Sequence, residues 1–110
     1  MEQAEPKIKV EYGTDVTIAT IEDENILEEH QIKRLEGALE PVITKNGPKR
    51  LVLNFENVRF MSSAFLGLLV KIHKRAIEAG GHLQLLNLDP KIYRVFQITQ
   101  LTKVFDIVRN

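Results

Sequence analysis

The sequence predicts an α/β fold: a mixed sheet of four to five strands with an N-terminal antiparallel hairpin and three main helices. Three observations carry that expectation. Apolar and polar residues alternate near the N-terminus, apolar residues recur at helical spacing in later segments, and Leu51-Val52-Leu53 is a near-continuous apolar run. Alternation is the period of a half-buried strand, and the helical spacing is that of an amphipathic helix. An unbroken apolar run reads as a strand covered on both faces. Strands that alternate with helices need crossover connections, which implies parallel neighbours joined by right-handed units.

From Lys7 to Tyr12, Ile8 and Val10 alternate with Lys7, Lys9 and Glu11, and Gly13-Thr14-Asp15 turns the chain into a second strand, Val16 to Ile21. That is the antiparallel hairpin. An acidic loop, Glu22-Asp23-Glu24-Asn25, follows. Ile26, Leu27, Ile32, Leu35, Leu39, Val42 and Ile43 then recur at helical spacing until Asn46-Gly47-Pro48 ends the pattern, giving the first helix.

After the Leu51 strand, the second helix runs from Ser63 to about Ala79. Gly80-Gly81 stops it, and Lys71, Lys74 and Arg75 lie toward its C-terminus, as the helix dipole favours. Gly67, in its second turn, is expected to mark a close approach to the sheet, since a mid-helix glycine otherwise costs about 1 kcal/mol against alanine. Leu83 to Leu88 gives a further strand. Asp89-Pro90 starts a third helix with a cap residue and proline at the first position, and Ile92, Val95 and Phe96 form its apolar stripe. A short closing strand is expected at Val104 to Ile107.

A chain of 110 residues suits one domain spanning 1–110, with one hydrophobic core. Its 15 basic and 15 acidic residues cancel and are dispersed, which argues against nucleic-acid binding, where a concentrated cationic excess must displace counterions. Without cysteine it has neither disulfide framework nor thiolate metal site, and no apolar run reaches the roughly 20 residues of a membrane span. The polar start, Met1-Glu2-Gln3-Ala4-Glu5-Pro6, does not read as a secretory signal, so a cytoplasmic protein is expected.

The most informative stretch is Leu51 to Val70: a buried strand, a short turn, then the serine pair Ser62-Ser63 opening an apolar helix. A helix start carries N–H groups without intrahelical acceptors and partial positive charge, so a serine there can cap the helix and a phosphate there is well placed. The local reading makes Ser63 the N-cap.

The stretch resembles the central motif of STAS domains, the family of bacterial anti-sigma-factor antagonists, whose usual form is an apolar strand, a polar turn and Asp-Ser-Ser-Gly-Leu-Gly. Ser63 falls on the serine that the family's partner kinase phosphorylates, and Leu66 and Gly67 fall on its Leu-Gly. Ser62 stands where the family has aspartate, while Ala64 and Phe65 replace a small hydroxyl residue and a glycine. Leu101 to Ile107 is similar to the family's last element. The resemblance implies a phosphoacceptor at Ser63, with Ser62 the alternative. It also implies an anti-sigma factor that is a serine kinase as partner, a serine phosphatase that resets the switch, no cofactor, and a monomer or weak homodimer.

The expected partner surface combines Glu22, Asp23, Glu24 and Asn25 with Met61, Ser62, Ser63 and Phe65, because both segments leave the sheet from the end where α/β binding sites gather. Phe65 is core if buried and an interface anchor if exposed. His30, His73 and His82 show no metal-ligand spacing and read as solvated or edge residues. The nucleophile-elbow pattern Gly-x-Ser-x-Gly and the phosphate-loop pattern are absent. The alternatives are a STAS scaffold whose Ser63 is never phosphorylated and a small hydrolase or transferase using Ser63.

Overall fold

A computed structural model describes residues 8–47 and 49–108. Lys7, expected to begin the first strand, and Pro48, expected to help end the first helix, lie outside the described residues.

β1 (Ile8–Tyr12) and β2 (Val16–Ile21) form the antiparallel hairpin, closed where Gly13 N–H donates to Val16 O at 2.8 Å. A two-residue strand β3 (Asn25–Ile26) precedes α1 (Glu29–Asn46). Then come β4 (Arg50–Asn54), β5 (Phe60–Met61), α2 (Ser63–Glu78), β6 (His82–Leu86), α3 (Pro90–Ile98), a 3-10 turn at Leu101–Lys103 and β7 (Asp106–Val108). The main sheet has five strands in the order β1-β2-β4-β6-β7, parallel except for the hairpin, and β3 pairs with β5 in a separate parallel ribbon.

From β2 onward each crossover steps to the next strand in the same direction, and right-handed crossovers of that kind leave every helix on one face. The core agrees: Ala19, Leu53 and Leu85 of the sheet cluster with Leu35 of α1, Leu69 of α2 and Phe96 of α3. Val52 does not belong to that cluster although only 7% of it is exposed. It lies in register between Ile18 and Gln84 on the opposite face. The apolar run at Leu51–Leu53 therefore reflects a central strand with a helical layer on one side and flanking side chains on the other. The expected cover on both faces and the parallel neighbours are both present, although only one face is covered by helices.

Several boundaries differ from local reading. Ile26 belongs to β3, and α1 starts at Glu29, because Asn25 and Ile26 pair with Phe60 and Met61 across the fold. β6 stops at Leu86, where Asn87 turns to a φ of 60°. The last strand begins at Asp106, since Leu101–Lys103 coils into the 3-10 turn that seats Phe105 in the core. Asp89 caps α3 as expected, its carboxylate accepting from Lys91 N–H at 2.9 Å. Lys71 and Arg75 of α2 pair with Glu36 and Glu40 of α1, so those cations join two helices besides complementing a dipole.

Gly67 overturns its expectation. It is exposed, and a Cβ there would meet nothing within 4 Å. The close approach is at Gly81, where a Cβ would lie 2.6 Å from the carbonyl oxygens of both Gly47 and Lys49. Gly67→Ala should raise stability by about 0.5–1 kcal/mol, and Gly81→Ala should lower it by about 1–3 kcal/mol. Urea melts of the two variants check both signs.

β7 is tied to β6 by side chains as well as backbone. Asp106 Oδ2 accepts from Gln84 Nε2 at 2.9 Å and lies 2.7 Å from His82 Nε2. The hydrogen bond to His82, and next that from Gln84, hold the Asp106 carboxyl below the usual aspartate range. A carboxyl whose pKa is depressed by folding stabilises above its unfolded pKa and loses that contribution as pH falls through its folded value. Asp106→Asn should therefore lose less stability than wild type between pH 7 and pH 3. Parallel urea midpoints over that range would sink this assignment.

Candidate functional site

The site is built where β2 and β4 end. After β2 the chain enters Glu22-Asp23-Glu24, and after β4 it enters Glu56-Asn57, whose Asn57 Nδ2 donates to Ile21 O at 3.3 Å. The two loops are then zipped together. Arg59 N–H and Phe60 N–H donate to Glu24 O at 2.8 and 3.2 Å, and Ser62 N–H donates to Ile26 O at 2.9 Å. The acidic loop and the start of α2 are thus brought side by side, as the sequence predicts.

Gln31 holds the acidic loop from the other side, and local sequence reading missed it. Its Oε1 accepts from Leu27 N–H at 3.0 Å and Glu28 N–H at 3.4 Å, while its Nε2 donates to Asp23 Oδ2 and Asn25 O, both at 2.6 Å. Both ends of one amide are therefore used. The available signal was a glutamine three residues into a helix, the N3 half of a capping box.

The capping role expected of Ser63 falls to Ser62. Ser62, extended at φ −85° and ψ 165°, is the N-cap, its Oγ accepting from Phe65 N–H at 3.4 Å. Ser63 is the first helical residue, and its exposed hydroxyl has no hydrogen-bond partner among the described residues. The shift has a simple cause: the Ile26 carbonyl holds Ser62 in the extended conformation that an N-cap needs, one residue earlier than expected. No acidic residue sits in the first turn of α2, so the positive end of its dipole carries no built-in counter-charge.

Phe65 is not an anchor for a partner. It is fully buried, 6.4 Å from Phe55 between ring centroids, and holds the first turn of α2 onto the core. Met61 is half-buried and packs against the same cluster. The exposed apolar side chains here are Phe60 (51% exposed) and Leu27 (55% exposed), from β5 and the turn after β3. Lys91 Nζ lies 4.3 Å from the centroid of the Phe60 ring. Glu22, Glu24 and Asn25 are exposed, whereas Asp23 is half-buried through its bond to Gln31.

The histidines are engaged elsewhere. His30 pairs with Glu28 at 3.2 Å, His82 lies against Asp106, and His73 packs its ring 5.3 Å from that of Phe105. His73 is half-buried in contact with the core, unlike the solvated or edge residue expected, and that burial, and next the proximity of His82, lowers its pKa. Among the described residues no three His, Cys, Asp or Glu side chains are grouped to hold a metal, and no helix is long and apolar enough to cross a membrane.

The site is thus an exposed serine at an open helix start, framed by an acidic loop, on a small α/β module. The STAS domain family matches residues 8–110, and the chain belongs to that family. It is 24% identical over 104 residues to an anti-sigma F factor antagonist of Paenibacillus polymyxa, covering 94% of this chain and 87% of that one. It is 31% identical over 81 residues to an anti-sigma-B factor antagonist of Staphylococcus aureus, covering 74% of each. Its fold matches that of the Bacillus cell fate determinant SpoIIAA in the phosphorylated form with a TM-score of 0.67 and 20% identity, covering 94% of this chain and 92% of the other.

Capping by Ser62 in place of Ser63 gives the two serines different stability signatures. Ser62→Ala should cost about 0.5–2 kcal/mol, the value of a lost N-cap, while Ser63→Ala should stay within about 0.5 kcal/mol of wild type, as for an exposed surface change. Urea denaturation of the two single variants distinguishes them, and equal losses would contradict the capping assignment.

Proposed function

We propose that this chain is an anti-sigma-factor antagonist whose binding is switched by phosphorylation of Ser63. The observation that carries the reading is the free, exposed Ser63 hydroxyl at the first position of α2, beside a Ser62 whose Oγ is already engaged as the cap. The names of the Paenibacillus and Staphylococcus relatives, and the phosphorylated state of the structurally similar Bacillus protein, support it. The partner is an anti-sigma factor that acts as a serine kinase, and a serine phosphatase reverses the modification. Residues 1–110 act as one STAS domain in the cytoplasm, as a binding module and not an enzyme.

The docking surface combines Glu22, Glu24 and Asn25 with Ser63 and the exposed pair Leu27 and Phe60. Phe60 takes the anchor role that the buried Phe65 cannot, since exposed aromatic side chains dominate interface energetics. Phosphorylation adds about −1.5 to −2 charges. On the free domain, the open helix start accommodates this charge with a gain of about 0.3–2 kcal/mol. Within a complex the same group must shed water, at several kcal/mol per ion. A hundredfold loss of affinity needs only about 2.7 kcal/mol, so the switch works without refolding.

One feature supports a second reading, a scaffold that is never phosphorylated. Ala64 and the buried Phe65 stand where the family has a small hydroxyl residue and glycine, leaving a more conventional helix start for a kinase to recognise. Incubation with the partner kinase and ATP, followed by intact mass, separates the two readings. One phosphate should be added to wild type and none to Ser63→Ala. Calorimetry with the anti-sigma factor should give near wild-type affinity for Ser63→Ala and a clear loss for Ser63→Asp, whose carboxylate imitates phosphate only in part. Equal binding by the two variants, or phosphate on Ser62, would overturn the assignment.

A further inference from the structure

Between α3, the turn after β6 and the edge strand β7 lies a cavity of about 620 Å³, within the size range of small-molecule sites. Leu88 and Ile107 give it an apolar wall. Lys91 and Arg94, one helical turn apart on α3, supply two cations, and among the described residues no aspartate or glutamate lines it. Residues 22–25 and 61–63 do not line it, so it is distinct from the Ser63 site, although it adjoins the proposed docking surface where Lys91 lies over Phe60.

The carboxylates nearest in sequence are engaged elsewhere. Asp89 caps α3 and faces Arg59 at 4.0 Å, and Asp106 takes His82 and Gln84. Lys91 rests on the Phe60 ring and forms no ion pair, and Arg94 has neither ion pair nor hydrogen bond among the described residues. Two cations without counter-charge among the described residues therefore border an apolar wall. An isolated surface cation needs no explanation, but two that share one concave space with Leu88 and Ile107 match a ligand of mixed character.

We propose that this cavity binds a small phosphate monoester with an apolar body. The roughly two negative charges of the phosphate at neutral pH are met by two cations, with the planar Arg94 guanidinium donating in a fork to its oxygens. The apolar body lies against Leu88 and Ile107. Gln97, a further turn along α3, also lines the cavity and carries a neutral amide.

Phenyl phosphate, inorganic phosphate and benzyl alcohol can be titrated separately into nitrogen-15-labelled protein at constant ionic strength. Phenyl phosphate should shift the backbone amides of residues 88–97 and 106–108 saturably, with a Kd of about 1 mM or below, and the other two probes should bind at least tenfold more weakly. Arg94→Gln and Lys91→Gln should each weaken phenyl phosphate about tenfold or more. Both side chains are exposed, and unchanged spectra elsewhere verify that the variants keep their fold. The proposal is overturned by absence of a saturable shift, by equal affinity for inorganic phosphate or benzyl alcohol, or by unchanged affinity in Arg94→Gln.

Discussion

The parallel pairing of β3 with β5 is the constraint on which the candidate site depends. Two residues on each side bring together loops that leave different strands, and three backbone hydrogen bonds to Glu24 O and Ile26 O lock them. Each such bond contributes only about 1 kcal/mol net, and an isolated two-stranded ribbon is marginal in water. This one persists because Ile26 is fully buried and Met61 packs on the core. Its consequence is conformational: Ser62 is held extended, its hydroxyl caps α2, and the Ser63 hydroxyl is left exposed.

Charge and packing divide the labour along α2. Its N-terminus is positioned by an apolar contact, Phe65 against Phe55, and carries no acid in its first turn. Its C-terminal half is laced to α1 through Lys71–Glu36 and Arg75–Glu40. Partly exposed ion pairs of this kind contribute modestly, so removal of Phe65 from the core would disturb the helix start far more than loss of either pair. The place of this helix end is therefore set by buried apolar surface, and under the proposed switch a charge added at Ser63 would act on the bound partner.

The sheet's two faces follow different rules. The helical face is a closed apolar cluster, whereas the opposite face carries a polar row in which Arg50, Gln84, His82 and Asp106 are linked side chain to side chain across β4, β6 and β7. That row secures the short edge strand, whose three residues are each only half-buried. It also explains how Val52 becomes buried without a helix above it.

The sequence by itself determined the order of main elements, the hairpin, the parallel crossover pattern and the Asp89-Pro90 helix start, because each rests on contacts between near neighbours: period 2 in strands, i to i+4 in helices, and caps within three residues. It also determined the family, through the strand-turn-serine motif. Tertiary structure decided what depends on partners distant in the chain. Ile26 has the spacing of a helix residue but pairs with Met61, Gly67 faces solvent while Gly81 meets two carbonyls, and Phe65 is buried while Phe60 is exposed. In each case the local signal was satisfied equally by both outcomes; for Ile26 and Gly81 the choice fell to backbone groups more than thirty residues away, and for Phe65 to Phe55 just past the end of β4, which no local periodicity encodes.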